Sequence, residues 1–139
     1  MGGNVTVDVL RAMMGKAREK LASSKLELVN RLAGEASSRA YYAVFHALTA
    51  VLASKGLSLS SHAETLGAFN REFVKTGVFP IETTRKLQRL FEDRQMADYD
   101  WANTVDSQTA SEDVAEAEGI LEACEAYLLK TVQGYTGKP

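Results

Sequence analysis

An all-α fold, an up-and-down bundle of four to five helices, is the architecture this sequence predicts, and three observations carry the expectation. Proline occurs only at Pro80 and at the terminal Pro139, so long stretches are free of helix breakers. Nowhere do β-branched residues alternate with polar ones over a long window, which is the period of a half-buried strand. Apolar residues recur instead three and four apart, in segments punctuated by glycine, proline or small polar clusters. Short connections between such segments favour antiparallel neighbours.

The first segment runs from about Val7 to Leu32, with Leu10, Met13, Met14, Ala17, Leu21, Leu26 and Leu32 as its apolar stripe and Gly34 placed to end it. A second spans about Glu35 to Lys55, and Gly56 supplies a left-handed cap. In "SLSSHAE", Ser60 or Ser61 is suited to cap a third helix reaching Thr76. "GVFP" then breaks the chain, because Gly77 tolerates positive φ and Pro80 pushes Phe79 away from helix. A fourth helix covers about Ile81 to Tyr99, "DYDWANTVDS" reads as a loop, and a fifth helix starts near Ser107 and reaches about Gln133.

Composition sets the outer limits. The 139 residues are the length of one domain, expected to span 1–139 and to be ordered from about 5 to 134. Apolar residues make up 45% and charged residues 24%, as in a globular protein. A net charge of −2 argues against a chain that grips nucleic acid over its whole surface. Cys124 stands alone, so no intrachain disulfide forms and the cytoplasm is the expected compartment. The longest apolar run, Ala40 to Ala53, includes His46 and falls short of the roughly 20 residues a bilayer span needs, so no membrane partner is expected.

Charge is unevenly placed. The first helix carries Arg11, Lys16, Arg18, Lys20, Lys25 and Arg31, whereas the stretch from Asp106 to Tyr127 has seven acidic side chains and no Lys or Arg. The two helices are expected to lie side by side with paired rims; the other reading is a basic face for RNA phosphates. Zinc spacing, a phosphate-cradling glycine loop, a nucleophile elbow, HExxH and any DNA-specific motif are all missing, so neither metal nor cofactor is expected.

"SSRAYYAVFHAL" places polar groups on an apolar helix. Tyr41, Phe45, Leu48 and Leu52 follow a core stripe, and Arg39, Tyr42 and His46 trace a neighbouring line, since seven residues at about 100° each return nearly to the same azimuth. On the fourth helix, Leu87, Leu90 and Phe91 lead to Arg94 and then Asp98, so Arg94 is expected to point inward toward a partner. Arg39, Tyr42 and His46 are expected to line a polar cleft facing Arg94. Two readings stand. Either these residues form a satisfied polar network that fixes the bundle's register, or Arg94 or Arg39 holds a phosphate while His46 or Tyr99 moves a proton. His62, at a helix start, is assigned capping or surface hydrogen bonding, and Cys124 is assigned packing.

The blocks "ASSRAYYAVFHALTAVLASKG", "SSHAETLGAFNREFVKTG" and "LQRLFEDRQMADYDW", in this order, resemble the HEPN (higher eukaryotes and prokaryotes nucleotide-binding) family, in its short stand-alone prokaryotic branch. The resemblance runs from about Leu10 to Leu129. It implies a helical bundle, commonly a homodimer, often encoded beside a minimal nucleotidyltransferase as in toxin–antitoxin pairs. Many members cut RNA without metal, and others only bind or scaffold. Active members share an Arg, usually a polar residue next, then a His and a later Tyr; here Arg94 and Gln95 match the start, Tyr99 stands where the His belongs and Trp101 takes the aromatic place. A phenol with a pKa near 10 is a poor base at neutral pH. The resemblance thus carries over Arg94, with Tyr99 a substituted position and His46, Arg39, Tyr42, Gln95 and Asp98 candidates from placement. Three expectations follow: a homodimer binding nucleotide or RNA phosphate beside a nucleotidyltransferase partner, a metal-independent ribonuclease toxin, or a purely structural interaction module.

Overall fold

The computed structural model describes residues 5–137, and every regular element among them is helical. Helix α1 covers Val7–Val29, α2 Ala33–Ser54, α3 His62–Phe69, α4 Glu82–Tyr99 and α5 Ser107–Thr131, and α3 continues directly into a π-helical turn, Asn70–Val74. Three helices start on a side-chain cap: Thr6 accepts from the Val9 amide at 3.2 Å, Ser61 from Glu64 at 3.1 Å and Asp106 from Thr109 at 2.7 Å.

Two helix ends differ from the sequence expectation. Helix α1 stops at Val29 and not at Leu32, because the chain turns left-handed at Arg31 (φ 65°). There the Leu32 amide donates to Glu27 O and the Arg31 amide to Leu28 O, the paired bonds of a Schellman cap. Gly34, expected to end α1, lies inside α2. Its backbone lies against α4, since a Cβ there would sit 3.7 Å from Ala97 Cβ. Leu26 and Leu32, placed on the apolar stripe by spacing, are 65% and 50% exposed. The same cap recurs at the end of α2, now with glycine: Gly56 takes φ 80°, with Leu57 bonded to Leu52 O and Gly56 to Ala53 O. The third helix gives way to the π turn at Asn70, where Lys75 donates back to Asn70 O at 2.9 Å, so helix ends at Val74 and not at Thr76.

Helix α2 is central and packs against α1, α4 and α5. Ala36, Ala40, Ala43, Ala47 and Ala50 are wholly buried along it, and such small side chains let neighbouring helices approach closely on several sides. No helix is long and apolar enough to cross a membrane among the described residues. The basic and acidic helices do lie together, since Arg18 reaches Glu125 at 2.9 Å and Lys25 reaches Glu118 at 2.7 Å across α1 and α5. Between α4 and α5, Arg89 faces Asp93, Glu112, Asp113 and Glu116, while Ser37 of α2 donates to the buried Asp113. Tyr135, beyond the expected ordered span, is buried and donates to Glu125 at 3.0 Å.

Candidate functional site

Arg94 anchors the site because α4 carries it on its core stripe, one helical repeat beyond Leu87 and next to Leu90. It is only 7% exposed. Its guanidinium carbon lies 4.9 Å from the Tyr41 ring centre, 5.4 Å from Tyr42 and 5.6 Å from Phe91, so aromatic faces replace much of its hydration. Its hydrogen bonding is sparse. Nη1 stands 3.8 Å from Asp98 one turn along, Nη2 is 3.5 Å from His62 Nδ1, and the buried Nε has no hydrogen-bond partner among the described residues. A guanidinium offers five N–H donors, and leaving them unmet in a buried position is costly.

His62 completes the cluster from α3. The Ser61 cap fixes the start of that helix, and the next side chain turns inward against α2. Its ring stacks on Phe45 with centroids 4.0 Å apart and planes 26° apart. The Tyr41 hydroxyl lies 2.9 Å from His62 Nδ1. Burial raises the Tyr41 pKa and Arg94 only partly offsets this, so Tyr41 remains a phenol and donates. Nδ1 therefore accepts, which assigns the ring proton to Nε2. Burial first and the Arg94 charge second lower the His62 pKa, so the imidazole is neutral at pH 7. A neutral imidazole and an underused guanidinium thus sit together.

The residues singled out from the sequence fall into three groups. Tyr42 and Asp98 stand beside Arg94, Tyr42 by its ring and Asp98 by its carboxylate. His46 is half-buried one step away, its ring centre 6.3 Å from that of Phe45. Its pKa is lowered by burial and then by Lys20, Lys16 and His62. Arg39, Gln95 and Tyr99 are elsewhere. Arg39 does not face Arg94, because it turns to α1, where it donates to Ser23 at 3.4 Å and lies 3.9 Å from Glu27. Tyr99 is 68% exposed, since five residues at about 100° each carry it well round α4 from Arg94. With Gln95 and Trp101 it lines an open surface pocket.

His62 is the site residue that sequence reasoning assigned to the surface. Capping falls to Ser61 instead, and His62 is one of the two histidines in the chain. Among the described residues no group of three or more His, Cys, Asp or Glu side chains stands close enough to hold a metal ion. Cys124 is wholly buried, with its thiol pushed up by that burial, and so packs the core.

Fold and site together define a small helical-bundle domain whose central helix presents tyrosines to a buried arginine and a neutral histidine. The HEPN domain family matches residues 10–127, and the chain belongs to that family. It is 42% identical over 79% of its length to a UPF0332 protein of Thermotoga maritima, covering 83% of that relative. It is 32% identical over 86% of its length to a protein of Methanocaldococcus jannaschii named "Putative toxin", covering 83% of it. A second UPF0332 protein, from Gloeobacter violaceus, is 32% identical over 69% of this chain and 76% of its own.

Proposed function

We propose that this protein binds the phosphate of a nucleotide or of RNA at Arg94 and His62, as a homodimeric component that acts with a minimal nucleotidyltransferase. One observation carries the reading: a buried guanidinium, its Nε without a partner among the described residues, stands beside a neutral imidazole, and an anion is the ligand that meets its unused N–H groups. Membership of the family is what supports the homodimer and the nucleotidyltransferase partner. Calorimetric titration with a nucleoside monophosphate tests the binding. Wild type is expected to bind, and Arg94→Gln, checked for folding by circular dichroism, is expected to lose at least tenfold in affinity, about 1.4 kcal/mol. Equal affinity in the two proteins refutes the assignment. Co-purification with a nucleotidyltransferase expressed beside it tests the partner.

A second reading, a metal-independent ribonuclease toxin, is favoured by His62, which supplies the imidazole that Tyr99 lacks, and by the relatives named "Putative toxin". In that reaction a ribose 2′-oxygen bonds to the adjacent phosphorus and loses its proton to His62 Nδ1 after the Tyr41 hydroxyl swings away. The bond from phosphorus to the 5′-oxygen breaks, that oxygen takes a proton back, and a 2′,3′-cyclic phosphate remains. Arg94 stabilises the charge built up on phosphorus. Cleavage of total RNA in EDTA by wild type, with loss in folded His62→Gln, supports this reading. Intact RNA with wild type sinks it.

A further inference from the structure

We propose that Lys16, Lys20 and His46 form a second phosphate subsite continuous with Arg94 and His62, so that the ligand is a single-stranded RNA chain spanning both. This rests on the phosphate-binding reading above and narrows its ligand class. The first support is how the basic residues of α1 are spent. Arg11 pairs with Asp8, Arg18 with Glu125 and Lys25 with Glu118. Lys16 and Lys20 make no ion pair or hydrogen bond among the described residues, and neighbouring Glu19 pairs with neither.

The second support is register. Four residues apart, Lys16 and Lys20 share one face of α1. Arg39 on α2 meets Ser23 and Glu27 on α1, and because the two helices run antiparallel, moving seven residues up α2 to His46 moves seven down α1, to Lys16 and Lys20. The charges of both lysines bear on the His46 ring. From His46 the path continues through Phe45 to His62, ring by ring at 6.3 and 4.0 Å, and from His62 Nδ1 to Arg94 at 3.5 Å. Two ammonium groups without an ion pair among the described residues and two neutral imidazoles thus lead from α1 to the buried guanidinium, where Asp98 is the neighbouring carboxylate. A mononucleotide, with one phosphate group, fills one end. A chain with successive phosphates fills both.

The test compares a fluorescent nucleoside monophosphate with a short single-stranded RNA whose 2′-hydroxyls are methylated, so that it is bound without being cut. Anisotropy is followed against salt for wild type, for Lys16→Gln with Lys20→Gln, and for Arg94→Gln. Each phosphate contact on a single strand contributes about −0.7 to the slope of log K against log salt, so loss of both lysines is expected to flatten the slope by about 1.4. At about 0.1 M salt that corresponds to roughly 25-fold weaker RNA binding, with mononucleotide affinity unchanged. An unchanged RNA slope in the double variant overturns the second subsite, as does wild type binding the RNA no more tightly than the mononucleotide. If Arg94→Gln leaves both ligands bound as before, or wild type binds neither, the underlying phosphate-binding reading fails instead.

Discussion

Replacing Asp113 by asparagine is expected to change how stability depends on pH, and the size of the change follows from the structure. The Asp113 side chain is wholly buried on α5, accepts from the Ser37 hydroxyl, and lies 3.6 Å from Arg89 Nε. Asp113 Oδ1 and Asp93 Oδ2 are both buried with no other hydrogen-bond partner, and one proton held between the two carboxyls satisfies both. Burial first, and then the neighbouring Asp93, push the Asp113 pKa from 3.8 up to about 8. Between those values the folded protein keeps a proton that the unfolded chain has released. Stability from this group is therefore complete below pH 3.8 and is lost as pH rises to about 8, at about 1.4 kcal/mol per unit. From pH 5 to pH 7 the loss is about 3 kcal/mol. The amide introduced by Asp113→Asn has no proton to surrender, still accepts from Ser37 and can donate to Asp93. The lowered pKa values of His46 and His62 work the other way, adding stability as pH approaches 6.5, but they act alike in both proteins. Urea unfolding at pH 5, 6 and 7 is then expected to show wild type losing about 3 kcal/mol relative to Asp113→Asn. A stability difference that stays constant over that range refutes the shared proton.

Other consequences are simpler to measure. Arg31→Gly relieves a left-handed residue at the first Schellman cap and is expected to raise unfolding free energy by about 1 kcal/mol, whereas Gly56→Ala imposes the same strain on the second and costs about 1 kcal/mol, both read by urea denaturation. Arg94→Lys keeps the charge but loses the planar fork between three rings, so nucleotide affinity measured by calorimetry is expected to fall about tenfold. Tyr99→Phe removes a hydroxyl that makes no hydrogen bond among the described residues, and the same titration is expected to give an unchanged affinity.

Helix number, order and most boundaries were legible because periodicity and capping are local. Asp106, Ser61, Gly56 and Gly77 announce their turns by residue type alone. The end of α1 was not legible, since Arg31 occupies a position where glycine is usual, and the nearest glycine, Gly34, lies inside α2 against Ala97. Arg94's inward direction came from the stripe it shares with Leu87 and Leu90. His62 escaped because its partners are long-range: nothing within one turn of it in sequence reports Phe45 or Tyr41. Chain length does allow the contact. From Gly56 to His62 an extended chain spans about 20 Å at 3.3 Å per residue, enough to return some three turns along α2 at 1.5 Å per residue. That is the distance from the end of α2 to Tyr41 and Phe45.

The location of Arg94 ties the site to folding. Three helices must be in place before its guanidinium is held: α2 for Tyr41 and Tyr42, α3 for His62, and α4 for Arg94 itself with Phe91 and Asp98. Behind it, the residue that precedes it in sequence, Asp93, is tied through Asp113 to α5 and through Ser37 to α2. A side chain fixed on both sides by packed elements loses little conformational freedom when an anion arrives, so preorganisation strengthens binding without added contacts. The same burial leaves little of the guanidinium exposed, because rings cover its surroundings. On the proposed reading the ligand group at Arg94 is a small, strongly accepting anion, and a base or sugar lies outside the pocket. Discrimination among such ligands then falls to the surface beyond it, where Lys16 and Lys20 supply charge beside the neutral His46 ring.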